Sequence, residues 1–301
     1  MGNNGSRRLQ AELPLGRGTI IEGAYYLERL LASGSMGVVY LAWDLLFDRQ
    51  VAIKVLASRH AADQRIARMF RQEARAMARV HHANVVQIYA TGVHGVLPYF
   101  AMEYVPGQTV AALISEDCRR GRLASLDTVS DILHQAAKGL TAMSECGLFH
   151  GDVKPSNMLI NSASHVAISD FGLVGSAKAL GAGAVSSRRG FVGGTPVYVA
   201  PELVCTTAVP PEKRHLCDVY SLGVSVFEML TGDGPFDGAT IRDILRGHLF
   251  TPPPRLTDRR PDLPPEIDAV MARALAKNPR DRFQRCTQLS AEVDQVVRLA
   301  A

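Results

Sequence analysis

The sequence predicts an α+β fold in two lobes, and three observations carry that prediction. Short β-branched runs fill the first hundred residues. A helical period dominates after Pro106-Gly107. The 301 residues, 47% of them hydrophobic, suffice for one large core or two modest ones. Strands collected before helices indicate an α+β arrangement, and the cleft between two lobes is the natural place for a ligand.

Residues 1 to about 22 have no period and read as a loose lead-in. From Tyr25 to about Leu56 the pattern is strand-like, with Val38–Leu41 and Val51–Leu56 as its clearest runs. A turn rich in small residues, Leu31–Gly37, lies before them. Residues 63–80 switch to a helical period, with Ile66, Met69, Phe70, Glu73 and Met77 on one stripe. Strands follow at Val85–Tyr89 and Tyr99–Tyr104. Helices are expected at about 109–118, 127–146, 214–232, 239–248, 265–276 and 286–299. The proline-rich stretch from Thr251 to Pro265 reads as a rigid connection between helices rather than a docking ligand.

Composition excludes several classes. The formal net charge of +4 is too small and too scattered to indicate nucleic-acid binding. Five cysteines, none in a C-x-x-C pair, form neither a disulfide framework nor a zinc site. They fit a reducing cytosol, so a cytoplasmic location is expected. No apolar run reaches the roughly 18 residues that span a bilayer. Met1–Ser6 matches the N-myristoylation pattern, but a flexible polar start is preferred because that pattern acts only beside a eukaryotic acyltransferase.

Two groups of residues carry chemistry. In the first, Gly34 and Gly37 sit in a turn between strands, where glycine lets backbone N–H groups approach a phosphate. Lys54 lies in the middle of an apolar strand, facing the same way as Ala52 and Leu56, away from Val51, Ile53 and Val55. Such a lysine needs an anionic partner or an exposed edge. Glu73 has the matching need, because it falls on the apolar stripe of its helix. Pairing the two satisfies both, either as a plain buried ion pair or with Lys54 also holding phosphate oxygens. The other face of that helix carries Arg68, Arg71, Arg75 and Arg79. It reads as a solvated face, with an anionic partner as the less favoured alternative.

In the second group, His150–Asn157 forms a loop ahead of the short apolar run Met158-Leu159-Ile160. Asp170 then ends the apolar strand that begins at Val166 and is followed by Phe171-Gly172. Two carboxylates and an amide suit phosphoryl transfer. Asp170 and Asn157 can hold a hard cation, and Asp152 can orient a hydroxyl and accept its proton. Lys154 can neutralise charge on the transferring group.

With these motifs in order, the chain resembles a protein kinase of the bacterial eukaryotic-like (Hanks) serine/threonine type over about residues 25 to 295. The landmarks are the Gly-rich loop, V-A-I-K at 51–54, Glu73, the loop at 150–157, D-F-G at 170–172 and A-P-E at 200–202. The resemblance implies a two-lobed protein kinase-like fold: a flexible segment 1–24, a small β-rich lobe 25–105 and a larger helical lobe 106–297, with ATP in the cleft. It implies ATP and Mg²⁺ (or Mn²⁺) as cofactors. Leu31, Gly34, Gly37, Val39, Ala52 and Lys54 would face the nucleotide, with Met102, Glu103, Tyr104 and Val105 as the hinge that holds adenine. Thr195, beside Gly194, Pro196 and Tyr198, would position a protein substrate. Glu202 with Arg282 would brace the helical lobe, and Asp218 would hold the catalytic-loop backbone. Lys154 with Thr195 favours serine/threonine specificity. Protein substrates bearing Ser or Thr are the expected partners, the chain itself among them through a transient dimer.

Two positions depart from the family pattern. Ala32 replaces the first glycine of the loop, so altered ATP affinity is expected rather than loss of binding. Gly151 replaces the arginine of the usual His-Arg-Asp. With one cation fewer to receive a phosphate on Ser186, Ser187 or Thr195, activity is expected to depend little on activation-loop phosphorylation. Two competing functions remain at this level. A small-molecule phosphotransferase shares the His-Gly-Asp loop but not the motifs at 194–202 and 218–223. A non-catalytic, pseudokinase-like binding module would usually have lost one of Lys54, Asp152, Asn157 or Asp170.

Overall fold

The computed structural model describes residues 14–34, 36–170, 196–205 and 209–300. They belong to two compact units. One is built from the chain up to His81 together with Val86–Tyr104, the other from His82–Val85 and Val105 onward.

Among the described residues the first unit is an antiparallel six-stranded sheet with one α-helix. Its strands are β1 (Ile20–Ile21), β2 (Tyr25–Ser33), β3 (Gly37–Asp44), β4 (Arg49–Leu56), β5 (Ile88–His94) and β6 (Leu97–Glu103), in the order β1-β2-β3-β4-β6-β5. The expected alternation in β4 sorts the sheet into two faces. Val51, Ile53 and Val55 join Val38, Tyr40, Tyr99 and Ala101 in one buried cluster. Ala52 and Lys54 face the other way, opposite their register partners Leu41, Met102, Val39 and Phe100. Helix α1 (Gln64–Met77) packs against β5 and β6, and the rings of Phe70 and Phe100 lie 5.0 Å apart. Asp63 caps α1 by accepting from the backbone N–H groups of Arg65 and Ile66. The helix buries Met69, Phe70, Glu73 and Met77, the stripe its period predicts, while Ile66 is only half-buried. It ends before residue 80, because Arg79 and Val80 bond back only three residues, to Ala76 and Met77.

The strand expected at Val85–Tyr89 lies three residues further on. Gly95, at φ +61°, turns the chain so that Ile88–His94 pairs with β6, from Ile88↔Met102 to His94↔Leu97. Ala90 and Gly92 carry little strand propensity of their own and are recruited by that hairpin. Val85 instead bridges to Ile168 in the second unit.

The second unit holds a three-stranded sheet, β7 (Gly107–Thr109), β8 (Met158–Asn161) and β9 (Val166–Ile168), in that spatial order. Its helices are α2 (Val110–Arg119), α3 (Leu126–Glu145), α4 (Pro201–Val204), α5 (His215–Thr231), α6 (Ile241–Phe250), α7 (Glu266–Ala274) and α8 (Cys286–Ala300). The six helices of at least nine residues sit within two residues of their expected positions. Each of three starts is capped by a side-chain oxygen, from Thr109, Ser125 and Thr240. Helix α5 is buried on nearly every side, with α3, α7 and α8 against it. Among the described residues no helix is long and apolar enough to cross a membrane.

The segment His82–Val85 is stitched to this unit. Asn84 donates through Nδ2 to Val166 O at 2.7 Å and accepts at its own carbonyl from Ile168 N at 2.9 Å. Gly139 of α3 makes room for it, since a Cβ there would lie 2.5 Å from Asn84 O. Gly139→Ala is therefore expected to cost about 1–3 kcal/mol by overpacking. The urea midpoint measures this, and an unchanged midpoint would show that the Asn84 segment yields freely.

Candidate active site

In the first unit the strand register gathers the residues expected to face a nucleotide. Val39 pairs with Lys54 and Ala52 with Met102, so all four side chains share the face opposite the apolar cluster. Lys54 and Glu73 are both buried, with Nζ 3.4 Å from Oε1. The Phe100 ring lies 5.6 Å from the same Nζ. Each charge thus answers the burial of the other. Leu31 and Glu103 are half-buried, and the Glu103 N–H is taken by Gln87 O at 2.8 Å. Val105 is buried and belongs to the second unit.

The two glycines of the loop have different roles. Gly34 N donates to Gly37 O at 2.9 Å and closes the turn. A Cβ on Gly37 would lie 2.4 Å from Val55 O, so glycine is needed there for the approach of β3 to β4. That packing requirement was not legible in the sequence. Ala32 pairs with Val39 just past a break in register after Leu30, and its φ is not positive, so a methyl group there meets no left-handed strain.

In the second unit the loop 150–157 is held by its backbone. Asp218, from the first turn of α5, accepts from His150 N at 2.7 Å and from Gly151 N at 2.8 Å, one on each carboxylate oxygen. Gly151 sits at φ +76°, in the left-handed region where a side chain is unfavourable. Fully buried His150 sits between Asp152 N–H and Ser169 O. Its Nδ1 accepts from the first at 3.2 Å, and its Nε2 lies 3.0 Å from the second. Only the neutral ring with its proton on Nε2 satisfies both contacts. Burial accordingly holds its pKa below the usual histidine value.

Asp152, Lys154, Asn157 and Asp170 come together. Lys154 Nζ is 2.6 Å from Asp152 Oδ2. Asn157 Nδ2 faces Asp152 O at 2.8 Å, Asp152 Oδ2 at 3.2 Å and Asp170 O at 3.3 Å. These contacts fix the amide. Asn157 Oδ1 accepts no hydrogen bond among the described residues, which leaves that oxygen open to a cation. Asp170 has φ +52°, a turn that ends β9 and redirects the chain at the carboxylate. An amide oxygen and a carboxylate are the donors that Mg²⁺ selects. Thr195, Ser186, Ser187, Phe171 and Gly172 lie outside the described residues.

Burial pushes Asp218 up to about 7 from 3.8, against the two backbone bonds that favour its carboxylate. Its folded value exceeds its unfolded one, so the stability it contributes is full at acid pH and is lost as pH rises through about 7. Wild type should therefore lose stability relative to Asp218→Asn between about pH 4 and 7. Urea midpoints of both proteins measure this, and a pH-independent offset would contradict it.

The expected brace is present in full. Arg282 is only 1% exposed, and all five of its N–H donors are used. Nη1 reaches Glu202 Oε1 at 2.7 Å and Leu216 O at 3.0 Å. Nη2 reaches Glu202 Oε2 at 2.8 Å and Lys277 O at 3.1 Å, and Nε reaches Ala276 O at 2.7 Å. Sequence reasoning missed a second tie. Tyr198 OH donates to Glu228 Oε2 at 2.6 Å, and Tyr198 O accepts from Ser221 Oγ at 2.7 Å. Burial and the Glu228 carboxylate both raise the Tyr198 pKa. The available signal was Glu228 itself, a carboxylate between Val226-Phe227 and Met229-Leu230 in the apolar second half of α5.

A strand-rich unit with a buried Lys–Glu pair, and a helical unit with the loop 150–157 hung from a buried aspartate, are the parts of a protein kinase. The protein kinase domain matches residues 25–293, and the chain belongs to that family. It is 36% identical over 277 residues to the serine/threonine-protein kinase PknL of Mycobacterium tuberculosis, covering 92% of this chain and 66% of that protein. Similarity to PknA of the same organism is 37% over 272 residues, covering 89% and 60%. Similarity to PksC of Streptomyces coelicolor is 35% over 283 residues, covering 93% and 49%. The chain thus spans about half to two-thirds of the length of these curated relatives. Its structure is similar to the crystal structure of the Mycobacterium tuberculosis PknI kinase domain, with TM-score 0.74 and 28% identity, covering 94% of this chain and 99% of that one.

Proposed function

We propose that the chain is an ATP-dependent protein kinase that transfers the γ-phosphate to serine and threonine hydroxyls of proteins, itself included. The observation that carries this is the cluster of Asp152, Lys154 and Asn157, on a loop whose backbone Asp218 holds, with Asp170 beside Asn157. Relatives named as serine/threonine kinases support the substrate class.

In this reading residues 25–105 act as the nucleotide-holding lobe and 106–297 as the catalytic lobe. Leu31, Val39, Ala52 and Met102 pack on adenine, while Glu103 and Val105 offer backbone groups to its edge. Gly34 and Gly37 let the loop backbone approach the phosphates, and Lys54, oriented by Glu73, binds their oxygens. Asp152 holds the attacking hydroxyl and takes its proton on the carboxylate, which Lys154 and Asn157 keep in one orientation. Lys154 offsets charge that gathers on the transferring group. Asn157 and Asp170 would hold Mg²⁺ or Mn²⁺, which supplies charge neutralisation at the phosphate oxygens. Thr195 positions the acceptor. Gly151 removes the cation that would read a phosphorylated activation loop, so control by that phosphorylation is weak. The site of action is cytoplasmic.

Incubating the purified chain with labelled ATP, Mg²⁺ and a generic protein acceptor tests this. Label on the chain or the acceptor, at serine or threonine, is the expected result. ATP binding without transfer would make the chain a non-catalytic module, and transfer confined to small alcohols or amines would make it a small-molecule kinase.

A further inference from the structure

The outer face of α1 carries a row of arginines with no acidic counterpart among the described residues. Arg65, Arg68, Arg71 and Arg75 fall within a sector of about 120°, at 100° per residue. That sector is opposite the one that buries Met69, Phe70, Glu73 and Met77. Arg65, Arg68 and Arg75 are exposed and Arg71 is half-buried. Between residues 64 and 80 the only carboxylate is Glu73, which is turned inward to Lys54. Asp63, just ahead of the helix, is occupied with its cap. None of the four guanidinium groups meets a carboxylate among the described residues. Arg119, Arg120 and Arg122, at the end of α2, show the alternative, each paired with Glu116 or Asp117. Like charges three and four residues apart repel along α1, so an anion laid on this face relieves a destabilising arrangement.

We propose that this face docks an extended acidic segment of a partner protein. Arginine, rather than lysine, at all four positions suits planar two-point contact with carboxylates. The spacing fits as well. The steps of three, three and four residues along the row advance about 4.5 to 6 Å along the helix axis, and alternate residues of an extended strand lie about 6.7 Å apart. The difference per step is within the reach of the long arginine side chains, so a segment with a carboxylate at every second residue meets successive arginines. A nucleic acid is the poorer occupant, because the row is one residue wide and Gln64 and Gln72 beside it offer no ring on which a base could stack. A membrane surface is poorer too, since the exposed face carries no large apolar side chain to insert.

The experiment needs no catalysis. A fluorescein-labelled eight-residue peptide of alternating Glu and Ser is titrated with the full chain at low salt, and binding is read by anisotropy. Wild type is expected to bind, with affinity falling as salt rises. The variant carrying Arg65→Gln, Arg68→Gln, Arg71→Gln and Arg75→Gln should bind about tenfold more weakly or worse, with Lys at the same four positions intermediate. Arg119→Gln with Arg120→Gln should bind as wild type does. Thermal melting establishes that each variant is folded, and slower amide exchange in α1 on adding peptide places the contact. The proposal fails if wild type does not bind or if the four-glutamine variant binds undiminished. It also fails if an eight-nucleotide single strand or phosphatidylglycerol vesicles bind through these arginines more tightly than the peptide.

Discussion

Asp152→Asn is expected to lower the rate of phosphoryl transfer about 10²–10⁴-fold while leaving ATP binding in place. The substitution keeps shape and removes a charge. Asp152 Oδ2 now receives Lys154 Nζ at 2.6 Å and Asn157 Nδ2 at 3.2 Å. An asparagine can satisfy both donors only by turning its carbonyl to them. Its NH₂ then stands where the other carboxylate oxygen stood, and an amide nitrogen accepts no proton from an incoming hydroxyl. The loop itself should survive, because its anchors are the backbone bonds from His150 and Gly151 to Asp218 and the ring of His150. Single-turnover rates should fall with the KM for ATP little changed, as for a group that acts on the transferring centre alone. A variant with wild-type rate would remove Asp152 from the chemistry and the proposed mechanism with it.

Arg282→Ala is expected to destabilise the second unit by about 3–5 kcal/mol. That would lower its melting midpoint on the order of 10 °C. The cause is what the substitution leaves behind. Glu202 loses both of its guanidinium contacts, and the carbonyls of Leu216, Ala276 and Lys277 each lose a donor. Arg282→Lys keeps the charge but has three donors on a single nitrogen, so it should recover only part of the loss. Replacing both members, Glu202→Leu with Arg282→Met, should cost less than Arg282→Ala, because no charge is then left unpaired. A loss below about 1 kcal/mol for Arg282→Ala would mean that water reaches Glu202 and does the work of the guanidinium.

Much of both units was readable along the chain. The period of α1, the alternation in β4 and the helices after Pro106-Gly107 are local patterns, and local patterns survive folding. Lys54 and Glu73 were paired from the sequence because each was a charge on an apolar stripe, a conflict with one economical solution. The places where reading along the chain fell short share a cause. Ala90 and Gly92 become strand through pairing with β6, not through their own propensity. His82–Val85 joins the second unit through Val166 and Ile168, some eighty residues away in sequence. Gly37 is required by the carbonyl of Val55 on the neighbouring strand.

The sequence by itself determined which chemical groups are present and in what order: a lysine and a glutamate in apolar settings, then Asp152, Asn157 and Asp170 at the spacing of a phosphoryl-transfer loop. It also determined that the residue before Asp152 has no side chain. Tertiary structure alone decided what those groups are bonded to. It put the proton of His150 on Nε2, between Asp152 N–H and Ser169 O. It turned Asn157 so that its amide nitrogen faces Asp152 and its oxygen stays available. It gave Arg282 five acceptor oxygens drawn from three stretches of chain. Residue type and spacing are properties of the chain, whereas a buried hydrogen bond is made only when distant segments meet and exclude water.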